Sequence, residues 1–190
     1  MIFKYIAIGA LCLISGGSFG KSEIITKNIT VTESNIEYTI TSDVTLKGDY
    51  QRFVRRMMDT ENYVAMEVPY IVETHKVSEE PNKRILWLKI ASFPMKAEYY
   101  LQFDYDVTPK RTDVDFRLIP KSGTFPEKHD YEILKGHMVV KVVSGKPQNA
   151  TYNIKSVTVL KFKREVLDIP EVTIAKLKFQ AEGGLRAFAN

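Results

Sequence analysis

The chain has 190 residues, of which 44% are hydrophobic and 26% are charged, so it fits one domain with a sizeable core and not a disordered segment. Its formal net charge of +4 is too small to indicate binding to nucleic acid. The single cysteine, Cys12, lies near the N-terminus. A chain that loses this segment has no disulfide and no thiolate chemistry.

The first 20 residues have the layout of a secretory signal peptide. Lys4 provides a positive start, an apolar stretch follows, and Ser18 and Gly20 occupy the −3 and −1 positions of a cleavage site. The alternative is an uncleaved anchor, but the apolar run is too short to span a bilayer comfortably. We therefore expect residues 1–20 to be removed, and residues 21–190 to form one domain in the periplasm or outside the cell.

The next segments indicate one strand followed by two short helices. Residues 36–44 alternate between apolar and polar side chains, as a half-buried strand does. Residues 29–32 either pair loosely with a neighbour or simply lead into this strand. Asp49 is a helix-capping residue, and it predicts a helix that runs to about Met58. A second short helical turn begins at residues 59–61.

Arg52, Arg55 and Arg56 form a basic cluster on the first predicted helix. The cluster indicates either a solvated face or a surface that contacts anionic lipid headgroups.

After Pro69 the pattern is typical of strands up to the last segment of the chain. The six predicted strands cover residues 70–78, 84–92, 96–108, 113–119, 131–143 and 150–163. Most are joined by short turns, and residues 120–130 form a longer polar loop. Consecutive strands with short connections predict an antiparallel meander.

The closing segment, residues 170–188, predicts a long helix with an apolar side. Pro170 suits the first helical turn, and this helix is the only element long enough to cover the apolar face of the sheet. Gly183 and Gly184 lie inside it, although each glycine costs about 1 kcal/mol relative to alanine in a helix interior. Either the two glycines allow a close approach by a backbone or a ligand, or the helix end is frayed.

Three stretches carry a resemblance to a known superfamily: residues 36–63, residues 97–107 ("AEYYLQFDYDV") and residues 169–188 ("IPEVTIAKLKFQAEGGLRAF"). Together with the element order, they resemble the START-like (SRPBCC, helix-grip) superfamily over residues 33–190. The nearest resemblance is to the polyketide cyclase and coenzyme Q-binding protein families. The resemblance implies an α+β fold in which a curved antiparallel sheet wraps around a long C-terminal helix and encloses an apolar tunnel.

Inward-facing positions of the strands and of the last helix are the candidate ligand-binding residues. They are Trp87, Tyr99, Leu101, Phe103, Phe116, Met138, Val140, Tyr152, Ile154, Leu177, Ala181, Gly184 and Leu185. The alternative for each of them is that it only fills a core. The expected ligand is a lipid, an isoprenoid or a similar apolar molecule, which the protein would bind or transfer. Transient contact with a membrane surface would accompany transfer.

Catalysis has little support in the sequence, and we predict no catalytic residue, metal or cofactor. His75, His129 and His137 have no metal-ligand spacing, and no Gly-x-Ser-x-Gly motif is present. A cyclase- or hydrolase-like enzyme on the same fold remains the first alternative. It would need polar side chains that converge in the tunnel, and the candidates are Glu98, Tyr99 and Tyr152.

The second alternative is a protein-interaction module of the cell envelope with a vestigial cavity. It predicts a closed core and an exposed apolar patch around Tyr70, Ile71 and Phe93.

Overall fold

A computed structural model describes residues 22–92, 95–163 and 170–190 of the chain. In these ranges there are eight strands, two helices and one short 3-10 helix. The strands are β1 (Glu23–Ser34), β2 (Glu37–Gly48), β3 (Ile71–Glu80), β4 (Lys83–Ser92), β5 (Met95–Val107), β6 (Arg111–Ile119), β7 (Tyr131–Lys146) and β8 (Asn149–Phe162). The helices are α1 (Tyr50–Met58) and α2 (Pro170–Ala189), and the 3-10 helix is Thr60–Asn62. The predicted signal peptide, Cys12 and Phe93 lie outside the described residues.

The eight strands form one antiparallel sheet in the order β1-β2-β8-β7-β6-β5-β4-β3. The sheet curves around α2, and the buried Leu177 and Leu185 of α2 join the core that its inner face forms. This architecture confirms the predicted α+β fold, in which a curved antiparallel sheet grips the C-terminal helix. Neither helix in the described ranges combines the length and the apolar character that crossing a bilayer requires.

The N-terminal strand β1 is much longer than the sequence indicated. It pairs with β2 along nearly its whole length, through a turn at Asn35 and Ile36 that have φ values of 50° and 60°. Such a hairpin turn normally carries glycine or asparagine, and a β-branched residue at positive φ gives no turn signal in the sequence. Most side chains of β1 are also exposed, so its apolar alternation is weak.

Helix α1 begins where the sequence predicted. The carboxylate of Asp49 accepts a hydrogen bond of 2.9 Å from the backbone N–H of Arg52, which satisfies one donor of the first turn. The buried side of α1 includes Phe53, whose ring lies 5.5 Å from the ring of Tyr152 and 6.1 Å from that of Phe188. Helix α1 therefore packs between one end of the sheet and the end of α2.

The basic cluster of α1 holds the last turn of α2. Arg56 donates to the carbonyl oxygen of Ala187 at 2.8 Å, and Arg52 donates to that of Asn190 at 2.6 Å. These carbonyls have no partner within the helix, and positive charge at a helix C-terminus is favourable. Two of the three arginines are thus engaged in the fold, whereas Arg55 is exposed.

Strand β1 holds the same helix from the other side. The backbone N–H of Ser22 donates to the carbonyl oxygen of Ala189 at 2.8 Å. Lys27 forms an ion pair of 2.8 Å with Glu182, which lowers the pKa of that carboxyl group through its hydrogen bond. The C-terminal half of α2 is therefore fixed by polar contacts at its end and along its edge.

The two glycines of α2 lie in different surroundings. A Cβ atom built on Gly183 would lie 2.2 Å from Cγ of Pro69, in a segment that also contains Glu67 and Tyr70 at positive φ. A Cβ atom on Gly184 would have no atom within 4 Å outside the helix. Since α2 continues to Ala189, fraying does not explain the pair. Gly183 allows the Pro69 ring to approach, and Gly184 leaves open space.

The two positions should therefore respond in opposite ways to alanine. Gly183→Ala forces α2 and the Pro69 ring apart, and we expect a loss of about 2 kcal/mol in the free energy of unfolding. Gly184→Ala meets no obstacle and should gain up to about 1 kcal/mol from helix propensity. Urea unfolding of both variants measures the difference. Equal stability of the two variants would contradict the close approach at Pro69.

Candidate functional site

A cavity of about 260 Å³ lies between α2 and the inner face of the sheet. Its walls come from strands β2 to β8, from α1 and the segment that follows it, and from α2, and the described lining residues are mostly aliphatic or aromatic. The side of α2 that faces it contains small residues, Ala181 and Gly184, between Leu177 and Leu185. The helix therefore covers the sheet without filling the space beneath it.

Most of the candidate ligand-binding residues line this cavity. They are Tyr99, Leu101, Phe103, Phe116, Met138, Ile154, Leu177, Ala181, Gly184 and Leu185. The alternation along β5 and the periodicity along α2 placed these side chains on one surface. That they bind a ligand stays a prediction.

Trp87 does not line the cavity. Its side chain lies on the outer face of β4, where its Nε1–H donates to the carbonyl oxygen of Pro126 at 2.7 Å and its ring stacks on Phe125 at 4.9 Å. The loop at residues 120–130 covers this part of the outer face. Strand β4 is consequently buried on both faces, so its apolar run does not reveal which side chains point inward.

Val140 and Tyr152 also lie outside the cavity lining, at the end of the sheet that α1 covers. The ring of Tyr152 packs 5.9 Å from that of Tyr50, and its hydroxyl donates to Ser22 Oγ at 2.6 Å. Val140 is fully buried beside Thr112, whose hydroxyl lies 2.8 Å from the hydroxyl of Tyr50. Both residues belong to the core, because α1 fills the space above them.

The sequence did not indicate the polar part of the lining. Ser42, Ser156 and Thr158 lie on the sheet side of the cavity, and Gln180 lies on α2. Polar side chains at alternating strand positions are typical of the solvent-facing side, so these positions gave no signal of an inward site.

Gly136 shapes the floor of the cavity beside Phe116. A Cβ atom at Gly136 would lie 2.5 Å from Cζ of the Phe116 ring and 2.9 Å from Oγ1 of Thr158. The missing side chain lets the ring lie across β7, as aromatic residues do beside a strand glycine. Phe116 can therefore line the cavity without filling it.

Two surface depressions differ from the cavity in character. One, of about 280 Å³, includes Asp43, His137 and Lys155 on the outer face, and the other, of about 310 Å³, lies beside α1. Lys155 pairs with Asp43 at 3.4 Å, and His137 pairs with Asp115 at 2.9 Å. Because these charges already have partners at the surface, the apolar cavity beneath α2 is the candidate site.

Comparison with known proteins supports the assignment of the fold. No protein-family model matches the chain, and no curated protein matches its sequence. Among solved structures, a STAR-related lipid transfer protein from Xanthomonas axonopodis matches with a TM-score of 0.57 at 8% identity, over 86% of this chain and 96% of that one. Human STARD10 matches with a TM-score of 0.60 at 9% identity, over 86% and 71% of the two chains.

An enzyme structure matches as well. The Zhui aromatase/cyclase from a Streptomyces species has a TM-score of 0.57 at 11% identity, over 80% of this chain and 92% of that one. The chain has the START-like, helix-grip fold. Identities this low establish only the START-like architecture, so any statement about function must be argued from the residues that line the cavity.

In this START-like fold the described part of the cavity lining consists of apolar side chains, hydroxyl groups and one amide. Its described residues include no carboxylate, imidazole, ammonium or guanidinium group. Of the three polar candidates, only Tyr99 lines the cavity, because Tyr152 contacts Ser22 and Glu98 lies 3.5 Å from Lys89. Burial raises the pKa of Tyr99 well above its usual value, and the nearby Tyr131 adds to this shift.

Buried tyrosines predict that the START-like domain unfolds in alkali. Burial raises the pKa of Tyr131 to about 12. Burial also raises the pKa of Tyr152 to about 12, although the hydrogen bond to Ser22 acts to lower it. A raised pKa in the folded state stabilises the protein below pH 10, and this contribution is lost as the pH rises towards 12. The free energy of unfolding should be level from pH 7 to 9 and should then fall, by up to about 1.4 kcal/mol per pH unit for each such tyrosine.

Urea unfolding at pH 8 and pH 11 tests this expectation in the wild type and in Tyr131→Phe. The variant lacks one of these hydroxyls, so its stability should fall less between the two pH values. An identical fall in both proteins would exclude Tyr131 as a contributor.

Proposed function

We propose that the protein binds or transfers one apolar molecule, such as a lipid chain, an isoprenoid or a similar compound, in the cavity beneath α2. The observation that carries the proposal is the 260 Å³ space between the helix and the sheet, with its mostly apolar lining. Export to the periplasm or to the outside of the cell is part of the proposal, and it rests on the sequence of residues 1–20.

The size of the cavity favours a ligand with one chain or one ring system. An engineered protein cavity of about 150 Å³ takes up benzene, and the cavity here is less than twice as large. Two or three fused rings, or part of a single acyl or isoprenoid chain, suit this volume better than a lipid with two long acyl chains. Binding would be driven by burial of apolar surface at roughly 25 cal/mol per Å².

Binding explains the described lining better than catalysis does. A cyclase- or hydrolase-like reaction at neutral pH needs a general acid or base. Burial raises the pKa of Tyr99 well above its usual value, so it is a weak acid there and is not ionised to act as a base. The similarity to an aromatase/cyclase shows the same architecture and does not add a titratable group to the described lining.

An interaction module with a closed core fits the structure less well, because a cavity is present. Tyr70 and Ile71 are half-buried, and Phe93 lies outside the described residues. More exposed apolar side chains include Val72 next to Ile71, and Val172 and Phe179 on α2; the ring of Phe179 lies 5.9 Å from that of Tyr70. If the protein exchanges its ligand with a membrane, this side of α2 is the surface we propose for the contact.

The direct test is native mass spectrometry of the full chain, expressed in its own host and purified gently from the cell envelope. The wild type should carry one apolar molecule per chain. Gly184→Met should place a side chain in the cavity and lower the occupied fraction by about tenfold, because the open space above Gly184 is part of the ligand site. Lys178→Met adds the same side chain to an exposed position of the same helix and should retain the ligand.

Both variants should melt within a few degrees of the wild type, which separates ligand loss from misfolding. A wild type that carries no molecule under these conditions, or a Gly184→Met variant that keeps its ligand, would contradict the proposed function.

A further inference from the structure

The apolar cavity contains a polar stripe, which we define as Ser42, Ser156, Thr158 and Gln180. Ser42 on β2 and Ser156 on β8 are opposite each other in the register of the two strands. Thr158 is two residues further along β8, so it faces the same side of the sheet. Gln180 lies on α2 and lines the same cavity. Three hydroxyl groups and one amide therefore line one cavity.

In the described part of the chain these four side chains make no hydrogen bond to another residue, and they line the space beneath α2. Several other hydroxyls have a partner within the protein: the hydroxyls of Tyr50 and Thr112 are 2.8 Å apart, and that of Tyr152 bonds to Ser22, whereas the buried Tyr105 hydroxyl has none. A ligand that displaces water from the four groups must replace the lost hydrogen bonds, because leaving a polar group unpaired costs free energy. The polar stripe is therefore available to a polar atom of whatever occupies the cavity.

The stripe lies part-way along the cavity and not at its end. On β8, the same face continues with Ile154 before Ser156 and with Leu160 after Thr158, and both line the cavity and are buried. Across the sheet, the register partner of Ser156 is Met138, which also lines the cavity. A ligand atom that meets the stripe thus has apolar neighbours on several sides.

We infer that the ligand is an apolar molecule with an oxygen atom inside its body, such as a ketone, an ester or a hydroxyl group between apolar parts. This inference rests on the proposed function and narrows its ligand class. A serine or threonine hydroxyl donates to a carbonyl oxygen, and the Gln180 amide can donate or accept. A hydrocarbon chain that is polar only at its terminus leaves the stripe unpaired.

Fluorene and 9-fluorenone form a matched pair of probes. They have the same three-ring skeleton, and fluorenone has one carbonyl oxygen at the middle of its long edge. The triple variant Ser42→Ala, Ser156→Ala, Thr158→Val removes the hydroxyls with little change of shape. Thr41→Val is the control, because it removes a hydroxyl from the residue next to Ser42, which is exposed on the other face of β2 and does not line the cavity. Equilibrium dialysis of the full chain gives the dissociation constant for each probe.

We expect the wild type to bind fluorenone about tenfold more tightly than fluorene, since one or two hydrogen bonds contribute this much. The triple variant should bind both probes within about twofold of each other, with its affinity for fluorene kept. Thr41→Val should keep the wild-type preference. Circular dichroism checks the fold, and if the triple variant unfolds, Ser156→Ala and Thr158→Val are measured singly and should each weaken the preference.

The possible results separate the two proposals. Equal binding of both probes by the wild type, or a preference that survives in the triple variant, overturns the polar stripe while the cavity remains a binding site. A preference that is also lost in Thr41→Val does not come from the cavity lining, and this result overturns the polar stripe as well. If neither probe binds the wild type, the proposed function fails and the inference fails with it.

Discussion

The structure depends on the contacts that fix α2 at a distance from the sheet, because this distance leaves the cavity between them. Arg52 and Arg56 bind the last carbonyl groups of α2, and Lys27 pairs with Glu182 along its edge. Gly183 lies against the ring of Pro69, and this contact limits how the C-terminal half of α2 can move. These contacts fix the helix at its end and sides, while Ala181 and Gly184 leave room beneath it.

The space has an energetic consequence. The lining is mostly apolar, so an occupant that covers it gains roughly 25 cal/mol for each Å² of apolar surface removed from water. This gain favours an apolar occupant, and under our inference the polar stripe selects one that carries an oxygen atom.

Much of the fold could be predicted from the sequence, because strong local patterns encode it. The alternation along β5, the cap at Asp49 and Pro170 at the start of the last helix all gave the observed elements. The hairpin of β1 was weakly encoded, since its side chains are exposed and Ile36 takes a positive φ. The glycine pair in α2 indicated a close approach, but nothing in the sequence identified Pro69 as the partner of Gly183.

The site was predicted less completely, for reasons that the structure makes clear. Trp87 was misplaced because Phe125 covers the outer face of β4, so both faces of that strand are apolar. Tyr152 was misplaced because α1 occupies one end of the inner face. Ser156 and Thr158 were missed because polar side chains that face inward follow the same alternation as those that face solvent.

The central claim is that apolar space separates α2 from the sheet, and xenon measures this most directly, because it enters apolar cavities and is easily located in crystals. A crystal of the protein exposed to xenon gas should show the atom between Leu101 and Met138 of the sheet and Leu177 of α2. A helix packed directly onto the sheet, with no xenon between them and no bound molecule in its place, would contradict the account.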